Sequence, residues 1–247
     1  MRTVENICYS GDQLLDLHLP DKSDFDLFIY FHGGGLEKGD KTALATQLLA
    51  PFLTGRGIAV ASCNYRMYPC AQYPDFLNDA AAAVHWLSNH INEYGTCRRM
   101  IVGGSSAGGY LSMMLCFDKR WYEACGQFPV PVVGYFHDAG QPTCHFNVLR
   151  ERGVDRRRLI VDDSAPLFYI GTEASYPPMM LVVSDDDMKN RYEQTLLVLS
   201  TLRHFAYDES KIGFTLMHGK HCAYCKQVDE KGDSVLGKMV LEFIQSL

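Results

Sequence analysis

The sequence lacks any long apolar run. Nowhere in its 247 residues is there a stretch near the roughly 18 apolar residues that a membrane helix requires. No membrane partner is expected. The segment Met1 to Gly11 lacks the apolar core of a secretion signal and carries Asn, Glu and Asp instead. That predicts a cytoplasmic protein. Basic residues are in the minority, 23 Lys and Arg against 29 Asp and Glu, for a formal charge of -6. Proteins that grip phosphate backbones are usually basic, so nucleic acid is not an expected partner. The one dense basic run, Arg156-Arg157-Arg158, reads as a solvated loop or helix face. There is no Pro/Gly/Ser-rich linker, no internal repeat and no low-complexity segment. A single domain over residues 1–247 is therefore expected. The nine cysteines are odd in number and scattered from Cys8 to Cys225. Without a secretion signal they read as reduced thiols, not as a disulfide framework.

What is present is an alternation of strand and helix patterns. Leu14 to Leu19 alternates like a half-buried strand. Phe25 to Phe31, Ile58 to Cys63, Met100 to Val102, Val130 to Phe136, Met179 to Val183 and Ile212 to Met217 read as further strands. Their nearly continuous apolar character suits a sheet covered on both faces. Between them lie helical patterns at Leu44 to Leu53, Asp79 to Ile91, Ala107 to Phe117 and Arg191 to Phe205, and a last one at Val235 to Leu247. Residues 137 to 176 show little periodicity, which predicts loops and short helices over one end of the sheet. The order implies an α/β fold with a mostly parallel sheet and helices on both faces.

Two glycine-rich turns carry the chemistry. Gly104-Ser105-Ser106-Ala107-Gly108 has the spacing G-x-S-x-G. It follows an apolar strand and opens a helix, as a nucleophile elbow requires. Small flanking residues leave room for the sharp turn, and the helix N-terminus favours developing negative charge. The bland alternative is a glycine turn with Ser106 as helix cap. A phosphate loop would need a Lys that is missing here. His32-Gly33-Gly34-Gly35 follows the strand Phe25 to Phe31 directly. Consecutive glycines let backbone N–H groups converge where a carbonyl oxygen becomes an oxyanion. His32 itself reads as a residue that holds this loop.

With these motifs the sequence resembles the HGGG-type esterases of the α/β-hydrolase superfamily. That group includes hormone-sensitive-lipase-like carboxylesterases and the acetyl-esterase and feruloyl-esterase-like proteins. The resemblance extends through Glu37 to Lys41, through Asn64-Tyr65-Arg66-Met67-Tyr68-Pro69, and through Tyr73-Pro74, Asp79 and Trp86. Ser164-Ala165-Pro166 and Pro177-Pro178 continue it. Leu36 departs from it, because many relatives carry Trp there. The resemblance implies an α/β-hydrolase fold. Because the chain begins almost at its first strands, a minimal cap or none is expected.

The same resemblance implies a triad in the order Ser, acid, His. The acid should follow a late strand, where Ser184-Asp185-Asp186-Asp187 stands. The family pattern points to Asp187, with Asp185 and Asp186 as alternatives. The base should follow the last buried strand, at His218-Gly219-Lys220-His221. The family pattern selects His221 and leaves His218 a structural role. His145 could line the substrate pocket. The resemblance also implies that backbone N–H groups of Gly33, Gly34 and Ala107 bind the oxyanion. No cofactor and no metal are expected. Cys222 and Cys225 have the spacing of a half zinc site but no second ligand pair, so they read as ordinary thiols.

The implied activity is hydrolysis of small, short-acyl or acetyl esters by a serine esterase. The same residues could instead cleave an amide, as arylformamidases do, or a peptide. A non-catalytic protein binding a small ligand on the same scaffold is the alternative of another class. A homodimer is compatible with the family.

Overall fold

The computed structural model describes all 247 residues. Its frame is one eight-stranded sheet in the order β1-β2-β4-β3-β5-β6-β7-β8. The strands are β1 (Arg2–Ser10), β2 (Gln13–Leu19), β3 (Asp24–Phe31), β4 (Ile58–Cys63), β5 (Thr96–Ser105), β6 (Val132–Asp138), β7 (Met179–Asp186) and β8 (Ile212–Lys220). The first two pair antiparallel with each other, and β2 runs antiparallel to β4. From β4 to β8 every pairing is parallel.

Parallel strands must be joined by crossovers, and helices supply them. They are α1 (Leu44–Thr54), α2 (Asp75–His90), α3 (Ala107–Phe117), α4 (Arg120–Glu123), α5 (Phe146–Glu151), α6 (Arg191–His204) and α7 (Val235–Ser246). Side chains of α2, α3 and α6 form the larger core on one face of the sheet. Those of α1 and α7 form the smaller core on the other. β3 shows how one strand serves both. Leu27, Ile29 and Phe31 point into the first core, and Phe28 and Tyr30 into the second. That two-residue period with both sets buried explains the unbroken apolar run.

Most expected elements are found, several with shifted ends. Ile58–Cys63 and Ala107–Phe117 fall where the pattern puts them. β5 is much longer than Met100 to Val102, because it continues through Gly103 and Gly104, which pack between neighbouring strands. β6 lies two residues later than Val130 to Phe136 and ends on His137 and Asp138, both buried. α2 starts at Asp75, four residues before the apolar spacing suggests. Two elements were not anticipated. β1 is an edge strand whose residues are mostly exposed or half-buried, so its sequence lacks a core face. α4 is a single polar turn with no buried residue. The segment from 137 to 176 does hold loops, the short α5 and one 3-10 turn, Pro166–Tyr169.

The strand order reverses at one place. From β3 the chain passes to β4 on one side, then crosses back to β5 on the other. Such a switch point opens a crevice beyond the carboxyl ends of the two strands. The glycine turn after β3 and the serine turn after β5 both lie there.

Candidate active site

The backbone at Ser106 is unusual. It has φ 56° and ψ -109°, a left-handed conformation that a non-glycine residue rarely adopts. Packing enforces it. A Cβ on Gly108 would stand 1.9 Å from the carbonyl oxygen of Phe31, so α3 approaches β3 more closely than any side chain permits. The Ser106 N–H donates to the carbonyl of Asp138 at 2.7 Å, which ties the turn to β6.

A buried polar network supports the turn from below. The Tyr30 hydroxyl donates to Ser105 Oγ at 2.8 Å. Asp138 accepts from the Tyr224 hydroxyl and, at 3.1 Å, from the Cys225 thiol. Burial raises the Asp138 pKa, against the lowering effect of these donors. The sequence reading missed this network. Its one signal is an Asp closing an otherwise apolar strand.

The His32 loop is held just as firmly. The His32 ring stacks on Tyr65 with centroids 4.5 Å apart, and its Nδ1 lies 2.8 Å from the Gly33 carbonyl. The Tyr65 hydroxyl donates to the His32 carbonyl at 2.8 Å. Burial lowers the His32 pKa and keeps the ring neutral. It touches no reacting group, in keeping with a loop-holding role. Gly34 has φ 126°, and a Cβ there would meet the Lys38 carbonyl at 1.7 Å. The N–H groups of Gly33 and Gly34 donate to no backbone carbonyl. That of Ala107 belongs to the first turn of α3, where helix donors are free. Next to this loop, Arg66 Nη2 pairs with Asp79 Oδ1 at 2.8 Å and fixes the segment after β4.

The remaining groups arrive from β7 and β8. His221 Nε2 lies 2.8 Å from Ser106 Oγ, and its Nδ1 lies 2.5 Å from Asp187 Oδ1. Asp187 Oδ1 also accepts from the Met188 N–H at 2.7 Å, and its Oδ2 from the Ser184 N–H at 3.3 Å. The Asp187 side chain is 1% exposed and that of His221 is 23% exposed. Burial works to raise the Asp187 pKa, but the bond and charge of His221 together with the Met188 and Ser184 N–H donors outweigh it, and the net shift is downward. Burial works to lower the His221 pKa, but bonding to Asp187 and Cys222 outweighs it and raises it to about 9. Asp185 takes a separate partner. It bonds His218 at 2.6 Å and the Gly219 N–H at 2.8 Å on the surface. Asp186 is exposed.

Ser106, His221, Asp187, Gly33 and Gly34 are thus brought together around one cleft of about 670 Å³. Phe146, Met188 and Lys226 form parts of its wall. His145 does not line it. That ring is 2% exposed and stacks on Phe146, and burial pushes its pKa down to about 3. Cys222 does reach the cleft, with Sγ 3.7 Å from His221 Nε2. Its pKa is lowered, first by bonding to Cys225 and also by His221. The possible ligand atoms of Cys222, Cys225 and Asp138 lie within 4.8 Å of one another. They are the one set placed to hold a soft cation, although Asp138 already accepts hydrogen bonds from Tyr224 and Cys225.

A mostly parallel sheet with a serine turn after its central strand, facing a glycine loop across the switch point, is the architecture of an α/β-hydrolase. Comparison with known proteins agrees. The BD-FAE family model matches residues 15–133, a span that holds both glycine turns and ends before Asp187 and His221. Esterase LipI of Mycobacterium tuberculosis is 34% identical over 104 residues, which are 41% of this chain and 32% of that protein. Esterase LipC of the same organism is 26% identical over 240 residues, 86% of this chain and 58% of that protein. The chain therefore spans well under the full length of these curated relatives. A truncated carbohydrate esterase from gut microbiota superposes with a TM-score of 0.78 at 18% identity, covering 100% of this chain and 96% of that one. Over residues 15–133 the chain is thus similar to the HGGG-type esterases, and its fold as a whole is that of an α/β-hydrolase. No helix is long and apolar enough to cross a membrane.

Proposed function

We propose that the protein is a serine esterase that hydrolyses short-acyl carboxylic esters through Ser106, His221 and Asp187. The observation that carries this reading is the continuous hydrogen-bonded line Asp187–His221–Ser106, 2.5 Å and 2.8 Å, facing the unengaged N–H groups of Gly33 and Gly34.

Each group has a task that its surroundings suit. Ser106 Oγ attacks the ester carbonyl carbon while His221 Nε2 takes its proton. Asp187 holds the Nδ1–H tautomer and stabilises the imidazolium, so the same contact that raises the His221 pKa favours the charged form made in the transition state. The N–H groups of Gly33, Gly34 and Ala107 bind the oxyanion. One such donor contributes about 3 kcal/mol to transition-state stability. His221 then gives its proton to the leaving alcohol. Water attacks the acyl-enzyme by the same route in reverse and frees Ser106.

The short-acyl reading is supported by the wall. Phe146 on α5 and Met188 after β7 are bulky apolar side chains lining the cleft that holds Ser106. A series of p-nitrophenyl esters from acetate to decanoate tests it. Turnover should be greatest at the short end and lost by about 10⁶-fold in Ser106→Ala. A fluorophosphonate probe should label the wild type and not that variant. Equal turnover in Ser106→Ala refutes the mechanism, a rise toward decanoate refutes the acyl preference, and faster cleavage of formanilide than of phenyl acetate reassigns the bond.

A further inference from the structure

The cleft at Ser106 has a neighbour. A second cavity of about 360 Å³ is lined by Arg156, Arg157, Arg158, Lys189 and Arg191, with no Asp or Glu among its walls. Phe146 and Met188 line both spaces, so the two share a partition. In a chain with more acidic than basic residues, this concentration of positive charge is local and one-sided.

The cations are also short of partners. Arg157 pairs with Asp155. Arg156, Arg158 and Lys189 make no ion pair, and Glu37, the acid that feels Arg156, is bound to Arg150. Arg191 opens α6 and is 4% exposed. Its guanidinium donates to the Ala139 carbonyl and to Gln141 Oε1 at 3.3 Å, while its Nε has no partner at all. The one acid that feels Arg191 is Asp187, and that carboxylate is engaged by His221. A buried guanidinium without its own carboxylate is costly, and an anion entering beside it would offset the cost. The exposed arginines at the rim would draw such a group in.

We propose that this cavity is an anion subsite, and that the preferred substrate is an ester carrying a carboxylate or phosphate on the part that passes Phe146 and Met188. The inference rests on the esterase reading and adds a substrate class to it.

Matched pairs of esters test it. For the acyl side, p-nitrophenyl hemiglutarate is compared with p-nitrophenyl pentanoate. For the alcohol side, 4-acetoxybenzoate and 4-acetoxyphenyl phosphate are each compared with phenyl acetate. The readout is the anionic-to-neutral ratio of kcat/KM, in which a general loss of activity cancels. At least one ratio should favour the anion by about tenfold in the wild type. It should fall toward one in Arg156→Gln/Arg158→Gln and stay high in Arg158→Lys. The pair that responds tells carboxylate from phosphate. Ratios at or below one in every pair, or a ratio unchanged by the double substitution, overturn the subsite. If no ester is hydrolysed and the fluorophosphonate leaves Ser106 unlabelled, the esterase reading fails separately. Calorimetry with glutarate and with inorganic phosphate then decides the cavity. Binding that disappears in the double variant keeps the anion site, and no binding to the wild type removes it.

Discussion

The two halves of the site are built by different means. Ser106 and the glycine loop directly follow β5 and β3, central strands buried on both faces, and close backbone packing, backed by buried side-chain contacts, sets their positions. Asp187 and His221 stand at the far side, directly after β7 and after β8 at the sheet edge. β8 alternates half-buried and exposed residues from Gly213 to Lys220. There, side-chain hydrogen bonds do the positioning: Asp187 to Ser184 and Met188, and Asp185 to Gly219. The Ser106 turn is held chiefly by close backbone packing, which leaves Gly104 and Gly108 no room for a side chain. The acid and base are held by a few polar contacts, which can be changed one at a time.

The difference can be broken most severely on the central side. Gly108→Ala should leave little folded protein, because its methyl would overlap the Phe31 carbonyl. A loss above ~3 kcal/mol in chemical denaturation is expected, and a variant within 1 kcal/mol of wild type, on the order of its experimental error, would contradict the steric account. On the edge side, Asp187→Asn should keep its fold and lose about 10⁴-fold in kcat. Asp185→Asn should lose less than about tenfold, since its contacts lie on the surface. Comparable losses in the two variants would assign the acid differently.

A finer probe is pH. His221 must be neutral to accept the Ser106 proton, so kcat/KM should rise with pH through the His221 pKa and then level. Because that pKa is raised, the rise should be centred above the ordinary imidazole value of 6.5. Cys222→Ala removes one of the raising contacts and should move the midpoint toward acid. No movement would show that Cys222 does not interact with the base. The smallest effect is expected at His218→Ala. The His218 side chain is 93% exposed, and stability should change by less than about 0.5 kcal/mol.

Legibility in the sequence follows the same division. β4 and α3 could be read to the residue because continuous burial leaves an unbroken apolar signal. The Gly104–Gly108 turn was legible because its steric demands admit few residue types. β1 was not, since an edge strand with mostly exposed side chains has no periodic signature. The support of Tyr30, Ser105, Asp138 and Cys225 was not legible either. Its members come from β3, β5, β6 and the turn after β8, and only the fold makes them neighbours. Arg156 to Arg158 are exposed, as a solvated run should be. Nothing in their spacing announces Lys189 and Arg191 in the wall of the same cavity. Among the three aspartates, the choice rested on resemblance. The structure separates them by burial, 1% exposed for Asp187 against 41% for Asp185.

The long connection from β6 to β7 has a consequence for how this protein can change over time. It runs between Asp138 and Met179 and supplies Phe146 and the three arginines to the walls. It supplies none of the atoms in the Asp187–His221–Ser106 line. Recharging its exposed part, around Arg156 to Arg158, would therefore alter the walls without touching that line, whereas Ala139, Gly140 and Asn147 in the same connection brace Arg191, α3 and the glycine loop. Substitution at those arginines would change what the walls admit, while the turns after β3 and β5 leave no room for side chains at Gly104 and Gly108.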